Sequence, residues 1–248
     1  LVCGYHGWHD WYLAANLVKG DPLAGVHLKG LEPTGVPRNL AGSNLIFHYN
    51  RLDEFQQLME ENKGQIAAVI MEPIRNDYPQ DGFLTEIRRM TAEEKIPLIF
   101  DEISSGFRMC CGGSHMVLGV EPDVAVFAKA MTNGYPIAAV IGRKGIMTAA
   151  QDTFISSTFW TERVALAAAV KSIQEYREHN VAEHLMCIGK RVQEGWVRQA
   201  EAAGLRIHVG GIYPLSHFDF ENDQPLECKT YFTQEMLRRG YLAYTGFY

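Results

Sequence analysis

Three residues of this 248-residue chain stand where a short apolar run gives way to a charge. Glu72 follows the run 66–71, Asp101 follows the run 96–100, and Lys129 comes after the run 124–127 with Ala128 between. Taken singly, each is a strand emerging into solvent. Taken together they place two carboxylates and an amine at equivalent strand ends, and in open α/β sheets ligands bind beyond those carboxyl ends. The adjacent pair Asp101-Glu102 is no glycosidase-type acid pair, because neighbouring strand residues face opposite sides and only one can face a shared site. A buried Asp calls for a cationic partner or several hydrogen bonds. A lysine in a desolvated site gives up its charge more readily and attacks carbonyls. Asp and Lys in one apolar pocket therefore suggest imine-forming chemistry. Pyridoxal phosphate uses both groups, a lysine as its Schiff-base partner and a carboxylate on its pyridinium nitrogen.

The elements that must position these residues are legible as patterns. The runs 66–71, 96–100, 124–127 and 137–141 are continuously apolar, as expected of strands covered on both faces. Helical spacing of apolar residues predicts helices over 52–62, 82–95 and 161–179, the last with Thr161 as N-cap and Glu162 in its first turn. Strand–helix alternation argues an α/β fold with a largely parallel sheet. From residue 181 the texture changes: a long amphipathic helix stopped by Gly204, strands over 206–209 and 215–220, and a helix over 228–239. The expected division is a large domain over 1–180 and the start of a small α+β domain over 181–248. Residues 23–44, rich in Gly and Pro, read as a long loop, a kind that is usually functional.

Composition narrows the partners. The chain is 47% hydrophobic, 11% aromatic and 21% charged, which excludes disorder, collagen and coiled coil as the main architecture. Its net charge of −6 disfavours phosphate backbones and anionic membranes, so a small molecule is expected rather than nucleic acid. The five cysteines have no scaffold-like spacing and fit a reduced, cytoplasmic protein. No apolar run reaches the roughly 20 residues that span a bilayer. The sequence opens at Leu1 without an initiator Met, which reads as a piece of something longer. Other motifs point away from chemistry. His6 and His9 have metal-like spacing without Cys or carboxylate companions, so no metal is expected. Residues 112–116 lack the last glycine of a nucleophile elbow. Tyr5 and Trp8 have a plain reading as core aromatics, Thr158 as a cap, and Arg108 as structural.

The segment Phe100-Asp101-Glu102-Ile103-Ser104-Ser105-Gly106-Phe107-Arg108 resembles the Asp-Glu-Val-x-Thr-Gly-Phe-Arg signature of class III pyridoxal-phosphate aminotransferases. The resemblance extends in order through Gly4-Tyr5-His6-Gly7-Trp8-His9, Met71-Glu72-Pro73, Gly119-Val120-Glu121-Pro122-Asp123, Ala128-Lys129-Ala130, Asn133-Gly134-Tyr135-Pro136-Ile137 and Ser156-Ser157-Thr158-Phe159. It covers residues 4–175 strongly. Gly35-Val36-Pro37 is similar to glutamate-1-semialdehyde aminomutase and its relatives.

The resemblance implies a fold-type-I enzyme with pyridoxal 5'-phosphate as cofactor and an amino donor and a carbonyl acceptor as substrates. Lys129 would carry the Schiff base and act as general base. Asp101 would pair with the pyridine nitrogen. Ile103, two residues on and on the same strand face, would pack on one face of the ring, and Tyr5 would stack on the other with His6 beside it. Thr158 would hold a phosphate, that of the neighbouring subunit in a homodimer, and Glu72 would line the substrate side. The family's phosphate loop would precede Tyr5 by some tens of residues, and Met131-Thr132-Asn133-Gly134 stands where the aminomutase has a glycine run. This stretch, together with a changed loop over 23–44, favours intermolecular transamination over the aminomutase's internal amine shift. A non-catalytic binding module on the same fold is the competing class of function.

Overall fold

The computed structural model describes residues 5–7, 10–17, 34–244 and 246. Trp8 and His9, and residues 23–33 of the expected loop, lie outside the described residues. The elements run α1 (Asp10–Leu13), α2 (Leu52–Glu61), β1 (Val69–Met71), α3 (Phe83–Glu93), β2 (Leu98–Asp101), α4 (His115–Leu118), β3 (Val124–Phe127), β4 (Ala139–Gly142), α5 (Lys144–Met147), α6 (Val164–Glu178), α7 (Val181–Ala202), β5 (Ile207–Gly210), β6 (His217–Phe220) and α8 (Pro225–Arg238).

Four strands form one sheet in the order β1-β2-β3-β4, with the first three parallel and β4 antiparallel to β3. Met71 pairs with Phe100 and Phe100 with Ala125, so the parallel strands end nearly level. Because paired residues share a sheet face, Val69, Met71, Leu98, Phe100, Ala125, Phe127 and Ala139 all point one way. That face is the packed one. On its β1–β2 side Phe55 and Met59 of α2 and Phe83, Leu84 and Ile87 of α3 close over it. On its β3–β4 side Phe107, Met131 and Tyr176 do so, with Leu185 of α7 against them. The other face carries Ile70, Ile99, Asp101 and Val126, and Asp101 is its one strand carboxylate.

Beyond α6 the chain forms α7 and an antiparallel pair, β5 with β6. Gln193 on α7 donates to the carbonyls of Gly210 and Gly211 and to the hydroxyl of Ser216, tying the helix to the β5–β6 connection. Trp196, Phe218, Phe220 and Phe232 make an edge-to-face aromatic cluster under α8. This part is joined to the sheet. The Gly211 amide donates to Asn76 O, the Ile212 amide donates to Arg75 O, and Ile212 and Leu215 are buried against Ile74.

Several sequence expectations shift by a few residues for identifiable reasons. The first strand begins at Val69 rather than Ile66, because Ala67 and Ala68 are exposed and ladder pairing starts opposite Leu98. Thr161 does not cap α6. The helix starts at Val164, which leaves Glu162 ahead of the first turn rather than in it, and from there its carboxylate accepts the amides of Val164 and Ala165 at 2.7 and 2.9 Å and does the capping. The last helix starts at Pro225, three residues early, with proline in its favoured first turn.

Candidate active site

β2 ends on Asp101, which is buried to 3% exposure. Its carboxylate is held at both oxygens. Oδ1 accepts the Ile103 amide at 3.0 Å, and Oδ2 lies 2.8 Å from Nδ1 of His6. The His6 side chain is as buried as the Asp, and its other nitrogen, Nε2, is buried with no partner. The expectation for His6 is thereby refined: it does not merely sit beside Tyr5 but orients Asp101. Tyr5 is half-exposed and meets the ring of Tyr12 edge-to-face at 5.8 Å.

Ile103 corrects the reasoning that placed it. The strand stops at Asp101 and the chain turns, so two-residue strand alternation does not apply. What keeps Ile103 beside the carboxylate is its own amide. In the turn that follows, Glu102 shares no partner with Asp101 and becomes a hub of its own. It accepts the hydroxyl of Ser105, the amide and hydroxyl of Ser114, and the amide of His115, and it lies 2.9 Å from the His115 ring nitrogen Nδ1. Burial pushes Glu102 up, but the hydrogen bonds from His115, Ser105 and Ser114 outweigh it and hold the carboxyl below its ordinary range. Sequence reasoning treated Glu102 only as the discarded member of a pair. A turn returning twelve residues later to saturate one carboxylate leaves no local signal.

Lys129 follows β3 by two residues and opens a short 3-10 turn, Lys129–Met131. Its backbone is left-handed at φ 46°, and its Nζ donates to Ser104 Oγ at 2.8 Å. Arg108 is buried with its Nε on the Ser104 carbonyl, the structural role expected of it.

Glu72, next after β1, lies level with Asp101. Burial lifts its carboxyl to about 7 and the nearby Asp101 adds to this, while Arg75, 3.4 Å away, and Lys129 oppose it. Two carboxylates and the lysine thus share one electrostatic neighbourhood at the strand ends. Thr158 does not join the hydrogen-bonded cluster. It lies exposed in the turn leading to α6, among Phe154, Phe159 and Trp160, which are 98%, 76% and 62% exposed.

A profile of the family described as Aminotransferase class-III matches residues 25–244. The chain belongs to this family. Among curated relatives, the class-III chain is 33% identical over 228 residues to 3-aminobutyryl-CoA aminotransferase of Cloacimonas acidaminovorans (strain Evry), covering 89% of this chain and 51% of that protein. It is 30% identical over 251 residues to glutamate-1-semialdehyde 2,1-aminomutase of Methanococcoides burtonii, covering 97% and 57%. The class-III chain thus spans little more than half the length of the curated relatives it matches. Among solved structures, the FumI protein of Sphingopyxis sp. MTA144, in its PLP internal aldimine form, superposes with a TM-score of 0.84 at 25% identity over 98% of this chain and 56% of its own. That likeness establishes the fold-type-I α/β architecture, with its mostly parallel sheet.

Proposed function

We propose that this class-III chain carries the pyridoxal-phosphate centre of an aminotransferase, moving an amino group between an amino donor and a keto acid or aldehyde. The observation that carries the reading is the joint placement of Asp101, held by His6 and Ile103, and Lys129, held by Ser104, at the ends of adjacent parallel strands.

The residues fit the cofactor. A buried carboxylate oriented from both sides is the acceptor a protonated pyridine nitrogen needs, and the unpartnered Nε2 of His6 is a buried polar atom awaiting a neighbour. The cofactor, when bound, supplies the electron sink that lets an amino group leave one carbon and join another. Asp101 would accept the ring nitrogen's N–H, and His6 fixes the carboxylate's rotation. Lys129 Nζ would hold the cofactor covalently and, when free of it, would take up and return a proton. Tyr5 and Ile103 would pack against the ring, and Glu72 would line the substrate side.

The same reading makes the protein a homodimer in which Thr158 reaches the partner's phosphate. Its support is the exposure of Thr158 in a stretch rich in exposed aromatics, which a second copy would cover. It also divides the chain near residue 180 into a large domain and a small one. Among the described residues no helix is long and apolar enough to cross a membrane, and a cytoplasmic enzyme fits.

The test uses the intact protein with pyridoxal phosphate and borohydride. Reduction should fix one cofactor on Lys129, and Lys129→Ala should lose it. Label persisting in that variant overturns the assignment, and no label in the wild type favours a non-catalytic module. The reaction type is read by supplying keto acids and aldehydes to the aminated form. Formation of 5-aminolevulinate from glutamate-1-semialdehyde alone would replace intermolecular transfer with the aminomutase reaction.

A further inference from the structure

Ser104 is buried, and both of its oxygens are committed: its carbonyl to Arg108 Nε at 2.7 Å, its hydroxyl to Lys129 Nζ at 2.8 Å. The turn that carries it is fixed on each side. Ile103 donates its amide to Asp101, and Ser105 donates its hydroxyl to Glu102. Gly106 lies so close to β3 that a Cβ there would meet the Glu102 carbonyl at 2.7 Å and the Phe127 ring at 2.8 Å. The hydroxyl is therefore held at a fixed point beside the end of the strand that leads into Lys129.

We propose that Ser104 is a positioning residue for the Lys129 amine, accepting an N–H from Nζ whenever that nitrogen is not bonded to a carbonyl. The proposal rests on the reading of Lys129 given above. A neutral amine has two N–H bonds and one lone pair. A partner that accepts uses an N–H, whereas a partner that donates would occupy the lone pair. Acceptance by Ser104 Oγ thus fixes the nitrogen while leaving its base free. When the lone pair forms a new N–H bond, the proton's former partner keeps the electron pair of the bond that breaks, and the reverse step restores the amine. Ser104 has an N–H to accept in both states, more strongly from the ammonium. This anchor narrows the rotamers open to the four-carbon stem toward those aligned for transfer.

The experiment compares wild type, Ser104→Ala and Ser104→Thr in the intact protein. Acylation of Lys129 by acetic anhydride in the cofactor-free protein is followed by peptide mass spectrometry across pH. Loss of a bond that favours the ammonium should lower the midpoint for Ser104→Ala by roughly half to one pH unit, with Ser104→Thr on the wild-type curve. In the loaded protein Ser104→Ala should lower kcat about tenfold with KM within about twofold, and Thr should restore it. A Ser104→Ala curve superimposed on wild type, or Thr behaving as Ala, overturns the proposal. Borohydride fixation separates the two failures. Unmoved curves with cofactor still fixed on Lys129 sink Ser104 alone, whereas a wild type that fixes no cofactor sinks the parent reading.

Discussion

Glu72 and Glu102 are both buried carboxylates, yet their surroundings push them in opposite directions. Glu72 is lifted to about 7 from an ordinary 4.5, chiefly by burial. Between those values the folded state binds more protons than the unfolded one, so stability falls as pH rises through that window. Glu72→Gln removes this dependence. The wild type should lose up to about 3 kcal/mol relative to the variant between pH 5 and pH 8, as read from urea unfolding at each pH. Glu102 titrates in the opposite sense. Its folded value is lowered, so its contribution is present above the ordinary carboxylate range and is lost as pH falls through the folded value. Glu102→Ala should cost about 3 kcal/mol or more, because the donors of Ser105, Ser114 and His115 lose their common acceptor inside the fold. At this scale the sequence was an uneven guide. Asp101 and Lys129 were legible because expensive residues at strand ends are rare. The resemblance named His6 only as a neighbour of Tyr5, and its bond to Asp101, 95 residues away, like that of Ser104 to Lys129, 25 residues away, emerges only in the folded chain.

Among the elements, the strands were legible because each is written as a continuous apolar run. Their ends were not, because pairing depends on what the neighbouring strand offers. The antiparallel direction of β4 was likewise hidden, since an apolar run carries no arrow. The helix α7 shows how much can rest on one small residue. Gly189 lies against the backbone of Tyr213, and a Cβ there would overlap the Tyr213 carbonyl. Gly189→Ala should lift the helix from the β5–β6 connection, lowering stability by about 2–3 kcal/mol and altering the fluorescence of Trp196, which packs on Phe218. A shift of the urea midpoint without any change in Trp emission would show that the strain is absorbed elsewhere.

At the scale of the whole molecule, β4 is one edge of the described sheet, Val140 and Ile141 on it are half-exposed, and the aromatics at 154–160 are more exposed still. In the proposed homodimer a second copy would cover this apolar surface. Phe154→Glu combined with Trp160→Glu should halve the sedimenting mass of the intact protein and weaken its hold on the cofactor phosphate, while the far-UV spectrum stays native. A monomeric wild type that keeps its cofactor would contradict the shared-site reading.

Lys129 occupies a left-handed backbone conformation that every residue except glycine enters at a cost. Lys129→Gly and Lys129→Ala both remove the amine and differ only in how the backbone tolerates the turn. The glycine variant should be the more stable by about 1 kcal/mol in thermal or urea unfolding. On the proposed role of Lys129, catalysis and fold therefore pull this codon in different directions. In a lineage released from selection for the reaction, the lysine could be lost to glycine, with relief of the backbone strain offsetting the bond that Ser104 loses, leaving a well-folded relative without its chemistry. The reverse journey, from a folded but silent ancestor to an enzyme, would have to begin with a destabilising step.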